Sequence, residues 1–275
     1  MFGNKSKSII RLAVLAFFSV AVFAGCSANR QEAATADMQT PQPLPLRVGV
    51  TTDSPPFVFE KGGEIMGLEA ELAMQLALYL GRPLEFVKVR WDRQIPALNG
   101  GETDIIMSGM TITPERRFRV AFTRPYLQSG LMAMVRQNDF ERFRYFIENN
   151  PEDHQFFSIG VVQGTTGEQF ARRTYSGVRI VSFTTGKKAL RELVFGAVDM
   201  LIHDAPMIFA YKVLNEARGL AIVPVMLTRE DLGWAVRRND SELLLQTDAF
   251  LKEISSNGKL KTAVGRWFPE MAEVN

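Results

Sequence analysis

Asp104-Ile105-Ile106-Met107-Ser108-Gly109-Met110-Thr111-Ile112-Thr113-Pro114-Glu115-Arg116 runs an apolar strand straight into small and hydroxylated residues and then into an arginine. Such a stretch has the makings of a carboxylate receptor. Small residues let backbone N–H groups come close to an anion. Ser108 and Thr111 add hydroxyl donors, and Arg116 offers a planar fork that pairs a carboxylate through two parallel bonds. Thr113-Pro114 is also a helix start in its own right, with threonine as N-cap and proline in the first turn.

The stretch closes a repeating pattern. Leu46-Arg47-Val48-Gly49-Val50 alternates like a strand, and Leu68, Leu72, Leu76 and Leu80 then recur every four residues up to Gly81, the spacing of a helix with its terminal glycine. Leu84 to Val89 alternates again, Gln94 to Leu98 reads as a short helix, and Asp104 to Met107 is the third strand. This is β-α-β-α-β, and right-handed crossovers make such a sheet parallel. The order returns downstream as strand Ser158 to Val162, helix Thr166 to Tyr175, strand Val178 to Ser182, helix Lys187 to Phe195, strand Val198 to Ile202, helix Pro206 to Glu216 and strand Leu220 to Val223. Leu243 to Ile254 and Leu260 to Trp267 read as closing amphipathic helices. The expected fold is therefore α/β with two lobes, each a mostly parallel sheet flanked by helices.

Ligands of open parallel sheets collect beyond the carboxyl ends of the strands, and the unusual residues fall at those ends. Thr51 to Phe57, Ser54 among them, follow the first strand, Trp91 the second, and Ser108 to Arg116 the third. In the second lobe the ends carry Gly164-Thr165-Thr166-Gly167, then Thr184-Thr185-Gly186, then His203-Asp204. The Gly164 loop opens a helix whose free N–H groups and positive end can hold a carboxylate, while Thr165 and Glu168 also fit a capping box. Asp204 suits an ammonium group and equally suits an N-cap before Pro206. Trp91 can offer an aromatic face or simply pack. Two lobes facing each other with such ends define a ligand cleft.

Residues 1 to 25 read as an export signal: Lys5, Lys7 and Arg11 precede a short apolar run, Leu12 to Ala24, too brief for a spanning helix. Ala24-Gly25 directly before Cys26, the only cysteine, resembles a bacterial lipobox, which implies a lipid on Cys26 and attachment to a membrane. Residues 26 to 45 read as a flexible tether. The roughly 230 residues beyond suggest two lobes of about 100 each. Without the three basic residues of the leader, 29 basic side chains face 30 acidic ones, so nothing calls for nucleic acid.

From about Leu46 to Phe268 the chain resembles the bacterial periplasmic solute-binding proteins of family 3, the polar amino-acid receptors of ABC importers. The resemblance is carried by Pro55-Pro56-Phe57, Gly67-Leu68-Glu69, Trp91 to Leu98, Thr113-Pro114-Glu115-Arg116, Phe122-Thr123-Arg124-Pro125-Tyr126, Gly164-Thr165-Thr166-Gly167 and Val198-Asp199 with Asp204. It implies a type II two-lobe fold, with residues 46 to 131 plus 234 to 275 as one lobe and 132 to 233 as the other. It also implies a hinge near Gly130 to Ala133 and Leu232 to Ala235. Arg116 is then expected on a ligand carboxylate, assisted by the Gly109 and Thr111 positions and the Thr166 loop, with Asp204 on the ammonium and Trp91 against the ligand side chain. The implied partners are a small amino acid and an ABC permease, and the receptor is expected to act as a monomer. Receptors of basic amino acids place an acidic group where this chain has Thr51 and an aromatic one where it has Ser54, which points to a neutral or acidic ligand.

Two rival readings share this fold. A prephenate or arogenate dehydratase needs a general acid in the cleft, for which Glu168 is the candidate. A sensory module would pass closure to a membrane protein. No cofactor is expected, and two histidines with no cysteine beyond Cys26 argue against a metal site. His203 beside Asp204 is not expected to form a dyad, because neighbours on a strand point to opposite faces.

Overall fold

The computed structural model describes residues 43–149, 156–215 and 218–269. The leader, Cys26 and residues 26–42 of the tether lie outside the described residues.

The chain enters at β1 (Leu46–Val50), passes through a three-stranded flap of β2 (Asp53–Ser54), β3 (Val58–Lys61) and β4 (Glu64–Met66), and enters α1 (Leu68–Tyr79). Leu68, Leu72 and Leu76 are fully buried, as are Leu46, Val48 and Val50, so the four-residue spacing of the helix and the alternation of the strand fill the same core. Each such leucine contributes roughly 1.5–3 kcal/mol of burial. Gly81, at φ 64°, follows the C-cap of α1 in the left-handed region that glycine adopts without strain. Next come β5 (Leu84–Lys88), α2 (Gln94–Asn99), β6 (Ile105–Ile106), α3 (Pro114–Arg117) and β7 (Ala121–Phe122). The chain then crosses over through β8 (Leu127–Ser129) and β9 (Leu131–Arg136).

The second half runs α4 (Phe140–Asn149), β10 (Ser158–Val162), α5 (Thr166–Thr174), β11 (Arg179–Phe183), α6 (Gly186–Val194), β12 (Met200–Asp204), α7 (Ala205–Leu214) and β13 (Leu220–Val223). It returns through β14 (Glu230–Leu232) and β15 (Ala235–Val236) to α8 (Ser241–Ser256) and α9 (Lys259–Trp267), which pack against α1.

Two sheets result, ordered β5-β1-β6-β15-β7 and β11-β10-β12-β9-β13. Of the strands read from sequence, three in each half pair in parallel with the first central, β5-β1-β6 and β11-β10-β12, while β13 pairs only with the antiparallel β9. The crossing strands depart from that parallel pattern. β15 lies antiparallel between β6 and β7, and β9 antiparallel between β12 and β13, because each arrives from the opposite lobe. The crossing itself is a short antiparallel ladder of β8 and β14, with Leu127 opposite Leu232 and Ser129 opposite Glu230. The ladder ends at Ser129, directly before the expected hinge segment from Gly130, and shares Leu232 with the other.

Under the first lobe's cleft wall sits one fully buried carboxylate, Glu69. It accepts from the Gly109 N–H at 3.0 Å, the Trp234 indole N–H at 2.7 Å and the Tyr126 hydroxyl. Burial pushes its pKa up to about 7, against the pull of those three donors. The unfolded value is near 4.5, so the folded state holds the proton more tightly. The stability this contributes is fully present below about pH 4.5 and is lost as the pH rises through about 7, some 3 kcal/mol in all. Melting temperature should therefore fall between pH 5 and 8. Glu69→Gln should melt lower overall yet lack that slope, and an identical pH profile in the variant would contradict the assignment.

Candidate functional site

The carboxyl ends of both sheets face one cleft of about 540 Å³, solvent at its mouth included. All ten residues expected at the site line it: Thr51, Ser54, Trp91, Ser108, Gly109, Thr111, Arg116, Thr165, Thr166 and Asp204. Phe57, Val162, Met207, His203, the Thr184-Thr185-Gly186 turn and Asp53 complete the wall.

Arg116 is the electrostatic centre. The Thr113 hydroxyl caps α3 by accepting from the Arg116 N–H at 3.2 Å, and this four-residue helix aims the side chain inward. The guanidinium donates to the Thr111 carbonyl at 2.8 Å and, across the cleft, to the Gly164 carbonyl at 3.2 Å. It is 8% exposed and forms no ion pair with any described residue. Burial lowers its pKa from the usual arginine value, while Asp204, Glu230 and Glu115 act the other way from a distance. Trp91 backs it, with the guanidinium carbon 5.2 Å from the ring centroid and the indole N–H also reaching the Gly164 carbonyl, at 3.2 Å. The indole face expected against a ligand side chain thus packs on the arginine.

The Ser108 and Thr111 hydroxyls, expected as donors to a ligand, turn to protein acceptors instead, while Thr165 caps α5 as the capping box implies, accepting from the Glu168 N–H at 3.3 Å. Ser108 donates to the Gly49 carbonyl, Thr51 to Val89 and Thr165 to Val162, at 3.3, 3.0 and 2.7 Å. Thr111 and Thr166 both donate to one oxygen of Glu230, at 2.7 and 3.0 Å. A hydroxyl has a single proton, so with these bonds in place none of the five donates to a ligand. The Gly109 N–H is likewise committed, to Glu69. Gly109 is needed at φ 65°, where an added Cβ would lie 3.0 Å from the Phe57 ring. The donors left facing the cleft include Arg116 and the backbone N–H groups of Thr111 and Thr166, which form no hydrogen bond among the described residues, and the hydroxyls of Thr184 and Thr185, which accept from Lys188.

Asp204 occupies the N-cap position of α7 but makes no capping bond. Its carboxylate lies 2.8 Å from His203 Nδ1 instead, correcting the expectation that the two side chains diverge. Alternation holds inside a strand. Asp204 ends β12 at φ −54°, ψ 136°, where the chain turns into α7 and the side chain swings back beside its neighbour.

Glu168 is absent from the cleft wall. It accepts from the Gly164 N–H at 2.8 Å, from Arg172 at 2.9 Å and from Ser182. Burial acts to raise its pKa, but those hydrogen bonds prevail and hold it below the usual glutamate value. The general acid considered from sequence therefore faces away from the cavity as a carboxylate.

Glu69 and Glu230 are acidic groups to which the sequence reading gave no role in the site, and Asp53 is the carboxylate that weakens the case from Thr51 and Ser54 against a basic ligand. Asp53 stands on the flap at the cleft, its pKa raised by burial and lowered in turn by its own N–H, His203 and Lys187. No group of three or more His, Cys, Asp or Glu among the described residues is arranged to hold a metal ion.

Comparison with known proteins agrees with this architecture. Residues 46–270 match the bacterial extracellular solute-binding proteins, family 3, and the chain belongs to that family. It is 27% identical over 225 residues to the L-cystine-binding protein TcyJ of Escherichia coli, covering 81% of this chain and 82% of that protein. Among solved structures it resembles the ancestral amino acid-binding protein AncCDT-1, described as a precursor of cyclohexadienyl dehydratase. The TM-score is 0.73 and the identity 37%, over 81% of this chain and 94% of that one. An ancestral arginine-binding protein, solved with arginine and with glutamine, matches at TM-score 0.72 with 31% and 32% identity, over 81% of this chain and 97% of that one. The fold is thus that of a type II periplasmic binding protein, and the relatives are extracytoplasmic amino-acid-binding proteins of ABC transporters.

Proposed function

We propose that this chain captures a free amino acid between its lobes, releases it chemically unchanged to an ABC permease, and is held at the membrane by a lipid on Cys26. The observation that carries the reading is the buried Arg116 guanidinium, facing a cavity with no carboxylate paired to it. A buried charge is costly unless paired, and a ligand carboxylate supplies the pair. Arg116 and the N–H groups of Thr111 and Thr166 take that carboxylate. Asp204, steadied by His203, takes the α-ammonium group. The lobes, divided near residues 131 and 234, close on the ligand by rotation at the β8–β14 crossing, and the receptor works as a monomer.

The ligand side chain we assign is small, neutral and polar. Once Arg116 and Asp204 have neutralised the zwitterion, Asp53 remains as an extra negative charge at the cleft. That works against the acidic ligand that Thr51 and Ser54 alone would also permit, because like charges brought together disfavour binding. A thermal-shift panel of the twenty L-amino acids tests both levels. Neutral polar residues should give the largest shifts, and Asp53→Asn should raise glutamate relative to glutamine by about tenfold or more. No shift with any amino acid would defeat the receptor reading, while preference for glutamate, arginine or lysine in the unaltered protein would defeat the assignment of the side chain.

The dehydratase reading lacks support from the geometry, since Glu168 is turned away and held as a carboxylate.

A further inference from the structure

We propose that Glu230 is the positioning residue that couples ligand capture to closure of the lobes. Its place in the chain is unusual for a site residue. It opens β14, the strand by which the chain returns from the second lobe to the first, and it pairs with Ser129 on the outgoing strand. Its carboxylate nevertheless reaches both walls of the cleft. Oε2 accepts from the Thr111 hydroxyl, beyond β6 in the first lobe, at 2.7 Å, and from the Thr166 hydroxyl, at the start of α5 in the second, at 3.0 Å. Oε1 accepts from Thr228 at 2.9 Å, which fixes the carboxylate from behind.

Two consequences follow from one oxygen serving both threonines. First, Thr111 and Thr166 are held a few ångströms apart only when the two loops converge. The Thr166 bond is therefore a contact of the closed form, and it rests on the receptor reading above that the lobes open at all. Second, a carboxylate only accepts, so both hydroxyl protons are drawn toward Glu230 and away from the ligand. The loops are then left to present their free backbone N–H groups to the ligand carboxylate, next to Arg116. The negative charge also lies close enough to Arg116 to favour its ionised form without forming a bond to it. Arg116 stays charged, buried and available.

The experiment uses the full chain and the L-amino acid that gives the largest thermal shift among the twenty, with association and dissociation rates measured by stopped-flow tryptophan fluorescence. Glu230→Gln keeps the shape but replaces one accepting oxygen with a donor. Thr166→Val removes the same bond from the other side and leaves Glu230 in place. Each variant should dissociate ligand about tenfold faster with little change in association, because the lost contact exists only after closure. The double variant should be no worse than the poorer single one, since both remove the same bond. The proposal is overturned if either variant releases ligand at the unaltered rate, or if the two effects simply multiply. Absence of amino-acid binding by the unaltered protein contradicts the receptor reading and removes this proposal with it. Normal binding with unaltered release in the variants contradicts this proposal alone.

Discussion

Arg116→Ala should abolish useful binding while leaving the fold intact. Truncating one partner of a buried, hydrogen-bonded charge pair costs about 2–5 kcal/mol, a loss of roughly thirtyfold to several thousandfold in affinity. The upper half of that range is expected here. The guanidinium is 8% exposed, and its two protein acceptors, the carbonyls of Thr111 and Gly164, carry no formal charge that could replace the ligand. Arg116→Lys should bind almost as poorly, because an ammonium is a point charge and lacks the fork that reaches a carboxylate and two carbonyls together. The ligand-free variant should melt no lower than the unaltered protein, since removing an unpaired buried charge relieves a desolvation cost. Calorimetry with near-normal affinity in Arg116→Ala would exclude the role.

Gly130→Ala should strongly destabilise the crossing between the lobes. An added Cβ would lie 2.0 Å from the Thr228 carbonyl oxygen and 3.0 Å from its carbon. Those are backbone atoms of the returning segment just before β14, so no side chain can rotate away. Either the two crossing segments separate or the strands lose register. Overpacking typically costs 1–3 kcal/mol, and with rigid neighbours about 3 kcal/mol is expected, a fall in melting temperature of roughly 6–12 °C for a domain of this size. Affinity should fall as well, because Thr228 supports both Glu230 and the Leu131 N–H. A melting temperature within 2 °C of the unaltered protein would show that the crossing has room to spare.

How much of this was legible from residues alone follows from the range of the interactions. The β1-α1-β5-α2-β6 order could be read because periodicity is local: Leu68, Leu72 and Leu76 mark one helix face, and Leu46, Val48 and Val50 one strand face. The cleft could be read because the ends of parallel strands gather on one side. The antiparallel direction of β9 and β15 could not, since each joins its sheet from the opposite lobe and its partners lie far away in the sequence. At the candidate site the gathering of these residues around one cavity was legible and the direction of their hydrogen bonds was not. Gly109 and Ser108 looked like free donors until Glu69 and Gly49 were seen to occupy them, through partners 40 and 59 residues away. Glu230 gave no local signal at all, since its bonds to Thr111 and Thr166 span 119 and 64 residues. The His203–Asp204 contact was misjudged for the opposite reason. The rule of alternation is sound within β12, and Asp204 is the residue at which the strand stops.

The proposed role of the cleft is to hold a free amino acid and leave it unaltered. The most direct measurement is to unfold and refold the protein to strip any bound molecule, and to incubate it with an equimolar mixture of the twenty L-amino acids and prephenate. The protein is then desalted, and the retained compound is released and identified by mass spectrometry. About one amino acid per chain should be retained, chemically intact, small, neutral and polar, with none retained by Arg116→Ala. Retention of no amino acid, or conversion of prephenate by the refolded protein, would contradict that role.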